Sequence, residues 1–332
     1  MLIDTVSEKS AEGRPARPSG TRIPVVLLAC AGRSGSTLLD RLIGAHEGFC
    51  STGELRFIWE RSFTHDELCG CGAPFSRCPF WDQVSRRAFG APPGALDTSA
   101  AVLLRRCLDQ SRQAPWLLSS RSPAAHQAAV ALYGALLERL YGEVLAVSGA
   151  RAVVDSSGDG THGLLLARLP GIELHVVHLV RDPRAVAFSW KRTRERPEVH
   201  WGSERMAIEH AGTSARRWML NNALAERLAR RASSYCRLRY EDLVREPHAA
   251  LAQILAPHRW AGAPLGALRE HEIALGPSHT VSGNPSRFRH GSVRISLDDE
   301  WRRAISASDR RTVTAITWPL LARYGYPLGG GR

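Results

Sequence analysis

The chain has 332 residues, 44% of them hydrophobic, enough for a buried core in one large domain or two smaller ones. No repeat and no low-complexity linker interrupts it, which excludes solenoid and linker-rich architectures. The net charge of +12 is carried almost entirely by Arg, since Lys9 and Lys191 are the only lysines; without basic runs or interleaved aromatics it points to an anionic small ligand or glycan, not to nucleic acid.

Residues 1–22 are polar and charged and read as a disordered lead; they lack the apolar stretch of a signal peptide. A short buried strand is expected over 24–30. The turn Ala31-Gly32-Arg33-Ser34-Gly35-Ser36-Thr37 follows, and an amphipathic helix runs over 36–46. Strand, small-residue loop and helix N-terminus together hold phosphate, because backbone N–H groups and the helix dipole favour an anion there. The loop departs from a nucleotide-kinase P-loop: Ser36 stands where the lysine would be, and the cation comes early, as Arg33.

Gly53-Glu54-Leu55-Arg56 opens a short helix to about Arg61, and 62–97 reads as irregular. Helices are expected over 98–111 and 123–147. The second carries Glu138, Arg139 and Glu143, so it is not a membrane span. A strand over 151–155 ends in Asp155-Ser156-Ser157-Gly158, and a helix follows over 161–169. The strand 174–180 runs into Arg181-Asp182-Pro183. Asp182 is a good N-cap and Pro183 a good first residue for a helix over 183–194 that carries Ser189. A polar helix over 201–231 and a strand over 235–239 lead to Tyr240-Glu241-Asp242-Leu243. Helices near 248–256, 298–306 and 308–323 finish the chain. Before the last two lies a basic, glycine-bounded segment, Gly283-Asn-Pro-Ser-Arg287-Phe-Arg289-His-Gly291.

This alternation predicts an α/β fold with a P-loop-like parallel sheet flanked by helices. It is read as one domain over 23–328, with a helical, cysteine-containing insertion at about 60–150. Ligands in such sheets sit at the carboxyl ends of the strands, so Arg33, Asp155, Arg181 and Tyr240 are expected to converge on one crevice.

The seven cysteines are an odd number with no signal segment, which argues for reduced thiols in the cytoplasm. Cys69-Gly-Cys71 and Cys78-Pro-Phe-Trp81 form a compact cluster. Zinc would need a fourth ligand such as Cys50, Cys107 or His65; a redox-sensitive disulfide and plain packing thiols are the alternatives.

Four motifs resemble those of sulfotransferases that use 3′-phosphoadenosine 5′-phosphosulfate (PAPS). Arg33-Ser-Gly-Ser-Thr37 looks like the phosphosulfate loop of the carbohydrate and tyrosylprotein branches. Arg181 with Ser189 resembles the pair that grips the 3′-phosphate. Tyr240-Glu-Asp-Leu243 resembles a segment whose Tyr lies near the adenine, and 283–291 the late segment that closes over the nucleotide. The Cys-Gly-Cys-Gly and Cys-Pro-Phe-Trp segments are similar to those of bacterial members.

The resemblance implies that Arg33, Ser34, Gly35, Ser36, Thr37 and Leu38 hold the phosphosulfate. It implies that Arg181, Ser189, Tyr240 and Arg287 or Arg289 hold the rest of the nucleotide. The implied reaction transfers a sulfuryl group from PAPS, without a metal, to a hydroxyl of a carbohydrate, glycolipid or small natural product. Arg33 would neutralise developing charge. Glu54 is the expected base, with His46, Asp155 and His162 as alternatives. Gly158 stands where family members often carry a lysine. That favours a second reading, a catalytically weakened nucleotide-binding module; a nucleotide kinase is the third. No integral membrane segment is expected, and the oligomeric state is left open.

Overall fold

The structure, a computed structural model, describes residues 21–256 and 268–329. The lead expected over residues 1–22 therefore lies almost wholly outside the described residues. In chain order the elements begin with β1 (Ile23–Ala29), α1 (Ser36–Gly44), β2 (Phe49–Ser51), α2 (Pro79–Phe89), α3 (Ser99–Leu108), α4 (Ala114–Leu118) and α5 (Ala124–Ser148). Next come β3 (Ala152–Gly158), α6 (Gly160–Leu166), β4 (Ile172–Val180), α7 (Pro183–Lys191), α8 (Ala211–Leu228), β5 (Ser234–Arg239), α9 (Tyr240–Arg245) and α10 (Pro247–Leu255). The described remainder holds β6 (Leu268–Arg269), β7 (Glu272–Leu275), β8 (Gly291–Arg294), α11 (Trp301–Ala304) and α12 (Ala307–Arg323).

The main sheet has five strands in the order β2-β3-β1-β4-β5, and all its pairings are parallel. β1 is central. It pairs with β3 through Val25–Val153 and with β4 through Ile23–Ile172. Both its faces are covered, which explains its unbroken apolar sequence. Val25, Leu27 and Ala29 enter a core with α5, α6 and α8. Val26, Leu28 and Cys30 enter a second core with α1, α9, α10 and the small antiparallel sheet β6-β7-β8. The chain therefore changes direction across the sheet beside β1 and β4, and the crevice for a ligand opens past their carboxyl ends.

Four local expectations differ from the structure. The stretch 62–97 contains α2, whose buried Trp81, Val84, Ala88 and Phe89 repeat at helical spacing after Pro79. The polar helix expected from residue 201 begins at Ala211, the helix expected to reach 194 ends at Lys191, and β3 continues through Gly158. The cysteine segment does not form a separate core. Trp59, Phe63, Phe75, Trp81 and Phe89 pack together and merge with the core under β1.

Candidate active site

β1 ends at Ala29, and the chain then turns sharply enough that Arg33 and Gly35 have φ of 69° and 96°. Gly35 precedes the first turn of α1. No side chain caps that helix and no acid lies in its first turn, so its positive end is not neutralised. A Cβ on Gly35 would also lie 2.6 Å from the Tyr240 ring, so glycine lets the loop and Tyr240 pack together. Across the crevice, β4 ends and Asp182 caps α7 by accepting from the Arg184 N–H at 2.9 Å. Arg181 thus sits at the strand end and Ser189 lies within α7.

These elements line a cleft of about 640 Å³, the size of a small-molecule site. Arg33, Gly35, Ser36, Thr37, Leu38, Glu54, Arg181, Ser189, Tyr240 and Arg289 all line it. Two expected ligands do not. Ser34 is fully buried and contributes no lining. Arg287 is 1% exposed and donates to the carbonyls of Thr280 at 2.6 Å and Leu68 at 2.8 Å. Of the pair Arg287 and Arg289, the cleft therefore presents Arg289; Arg287 holds the segment together from beneath.

The cleft concentrates cations. Arg181 donates to the Arg33 carbonyl at 3.1 Å, stacks on Tyr240 at 4.4 Å and faces the Asp298 carboxylate at 3.2 Å. Arg33 lies over the Trp190 ring at 4.7 Å, with Met206 Sδ 3.1 Å from its guanidinium. Burial, then the charge of Arg194, lowers the Arg33 pKa. Burial also lowers that of Arg194, helped by Arg192 and Arg181. Arg33 Nε and Arg181 Nε are buried and, among the described residues, find no hydrogen-bond partner. Crowded, desolvated guanidinium groups with unused donors fit a multiply charged anion.

Glu54 stands on the same wall. Ser282 donates to its carboxylate at 3.2 Å, and Arg61 donates to Ser282 at 2.8 Å. Burial raises the Glu54 pKa, while Arg61, Ser282 and Arg287 act to lower it. Gly283 separates it from the phosphate loop: a Cβ there would lie 3.6 Å from Glu54 Oε1 and 3.7 Å from Thr37 Oγ1.

The alternative bases lie elsewhere. His46 is 3% exposed, beyond the end of α1, and does not line the cleft. Asp155 and His162 are fully buried in a network with Tyr141 and Asp109. His162 Nε2 lies 3.3 Å from Asp155, and Nδ1 lies 3.2 Å from Asp109. Arg56 lines the cleft, but its guanidinium is paired with Asp109 at 2.8 Å and Asp159 at 2.6 Å. Gly158 has φ of 74°, and a Cβ there would lie 3.2 Å from Cys30 Sγ, so this backbone does not readily accept a lysine. Arg61, Arg194 and Arg217 also line the cleft and were missed from sequence; no short motif marks them, and only folding brings them there.

Residues 97–260 match the model of the sulfotransferase family, which supports a sulfotransferase assignment for the chain. Its members are transferases whose general chemistry is sulfuryl transfer. The match includes Arg181, Ser189 and Tyr240, whereas the loop 31–37 precedes it. Among solved structures the chain is similar to a sulfotransferase domain from the curacin biosynthetic pathway. The two are 19% identical, over 93% of this chain and 100% of that one, with a TM-score of 0.48. No curated protein matches.

Proposed function

We propose that this protein transfers a sulfuryl group from PAPS to a hydroxyl of a carbohydrate, glycolipid or small natural product. The observation that carries the reading is the meeting of two arginine-bearing strand ends in one cleft. The Arg33 loop follows β1, and the Arg181–Ser189 pair follows β4. ATP chemistry would require a lysine where Ser36 stands.

In this reading the uncapped N-terminus of α1, with Arg33, Ser36 and Thr37, holds the phosphosulfate. Arg181 and Ser189 hold the 3′-phosphate, Tyr240 packs near the adenine, and Arg289 covers the nucleotide. Glu54 takes the proton of the acceptor hydroxyl as its oxygen attacks sulfur. The sulfur–oxygen bond to the 5′-phosphate breaks in line, and 3′-phosphoadenosine 5′-phosphate leaves. Arg33 and the loop N–H groups stabilise the charge on the departing oxygen.

The test is transfer of labelled sulfate from PAPS to a panel of hydroxylated acceptors, run beside calorimetry with 3′-phosphoadenosine 5′-phosphate, AMP and ATP. Tight binding of the 3′-phosphorylated nucleotide with transfer is the expected result. Equal affinity for AMP would overturn the assignment. Tight, selective binding without transfer to any acceptor would favour the weakened module, for which Gly158 is the motivating residue.

A further inference from the structure

Outside the cleft, Cys69, Cys71, Cys78 and His279 bring their sulfur and ring-nitrogen atoms within 4.8 Å of one another. We propose that these four residues bind one zinc ion as a closed, structural site. The proposal stands independently of the transferase reading.

The spacing decides between a metal and a disulfide. Cys71 Sγ and Cys78 Sγ are 3.8 Å apart, and all three thiols are free. A disulfide needs about 2.05 Å. A tetrahedral zinc ion with Zn–S of about 2.3 Å and Zn–N of about 2.0–2.1 Å separates two sulfurs by about 3.8 Å, and a sulfur and a nitrogen by about 3.6 Å. The His279 Nδ1 atom lies 3.8 Å from Cys69 Sγ and 3.3 Å from Cys78 Sγ. Three thiolates and one imidazole form a complete donor set with no position left for water, which is the structural type, and soft thiolates select zinc. The fourth ligand is thus neither Cys50, Cys107 nor His65, and no local spacing in the sequence reveals it.

The surroundings hold these ligands in place. The Gly72 N–H donates to the Cys69 carbonyl and the Cys69 N–H to the Ala73 carbonyl, each at 2.8 Å. The Gly70 N–H donates to the Thr280 carbonyl at 2.8 Å; a Cβ on Gly70 would lie 2.3 Å from Thr280 Oγ1, so glycine permits this approach. Trp81 Nε1 donates to the His279 carbonyl at 2.9 Å, and Phe80 stacks on the His279 ring at 4.7 Å. Such outer partners orient ligands and set affinity. Zinc with three thiolates carries a net charge of −1. Buried Arg287 supplies a counter-charge, bonding the carbonyls of Leu68 and Thr280, each next to a ligand. On binding, the three thiols release their protons to solvent.

The ion would tie the cysteine hairpin to the segment that continues through Ser282, Asn284 and Arg289 over the cleft. The test is elemental analysis of protein expressed with zinc in the medium and purified with a reductant and without chelator. About one zinc per chain is expected. Refolding with Co²⁺ should give a thiolate-to-metal charge-transfer band and the intense visible bands of tetrahedral cobalt. Cys71→Ser and His279→Ala should each weaken zinc binding at least 10- to 100-fold, the loss typical of mere outer partners. The double variant Cys50→Ser with Cys107→Ser should keep the full complement. Zinc-free wild type with no cobalt spectrum would overturn the proposal, as would a disulfide among the three cysteines in reduced protein. Full zinc retention by Cys71→Ser and His279→Ala would do the same. If those variants fail to fold, the wild-type stoichiometry and cobalt spectrum decide.

Discussion

Glu54 is the residue whose environment best matches a base: it faces the cleft and its pKa is raised by burial. Glu54→Gln keeps the shape but cannot take a proton. Turnover should fall roughly 10²- to 10⁴-fold with nucleotide affinity nearly unchanged. Because the acting form is the carboxylate and its pKa is raised, wild-type activity should be lost on the acid side at a pH above the ordinary carboxylate range. A lower melting temperature with turnover intact would instead make Glu54 structural. Arg181→Ala should remove the preference for the 3′-phosphorylated nucleotide over AMP, at about 2–5 kcal/mol for a desolvated pair, read by calorimetry. Asp298 already lies against Arg181, so some of this affinity goes into displacing or sharing that contact.

A third residue tests stability and not chemistry. Burial alone would lower the His162 pKa, but hydrogen bonds and charge from Asp109 and Asp155 outweigh it and push it from 6.5 up to about 9. The folded state therefore binds the proton more tightly than the unfolded chain. The resulting stability is fully present below about pH 6.5 and is lost as pH rises through about 9. Thermal unfolding across that window should show the decline in wild type. A parallel decline in His162→Gln would refute the assignment.

At the scale of elements, the site depends on the turn between β1 and α1. Gly35→Ala introduces a Cβ at φ of 96° and 2.6 Å from the Tyr240 ring. Denaturant unfolding should show a loss of about 1–3 kcal/mol, and nucleotide affinity should fall with it. Unchanged stability and affinity would mean that the loop readily adopts another shape. The elements that sequence missed are those that depend on neighbours. β2 has only three residues and exists because it adds to β3 through Phe49–Ala152. The strands β6, β7 and β8 are short and, among the described residues, pair only with one another, with little intrinsic signal. α2 was also missed, although Pro79 and the spacing of Trp81, Val84 and Ala88 are local signals for it: the surrounding Gly and Pro made 62–97 read as irregular.

At the scale of the whole molecule, the charge of +12 is not spread evenly in its effect, because Arg33, Arg181, Arg194, Arg217 and Arg289 all line one cleft. Such a cleft should attract an anionic nucleotide at long range. Raising ionic strength should therefore slow association in stopped-flow measurements more than it speeds dissociation. An association rate independent of salt would assign the charge to solubility alone. Among the described residues no helix is long and apolar enough to cross a membrane.

The sequence by itself determined the alternating α/β pattern, the buried strands β1 and β4, and the two turns that follow them. Those signals are local, because an apolar run, a glycine turn and an Asp-Pro helix start act over a few residues. Only the tertiary structure decided that Arg289 and not Arg287 faces the cleft, that Asp155 and His162 form a buried network, and that His279 joins Cys78 across 201 positions. Each of those outcomes depends on which side of a segment is covered by a distant part of the chain, which no spacing along the sequence encodes.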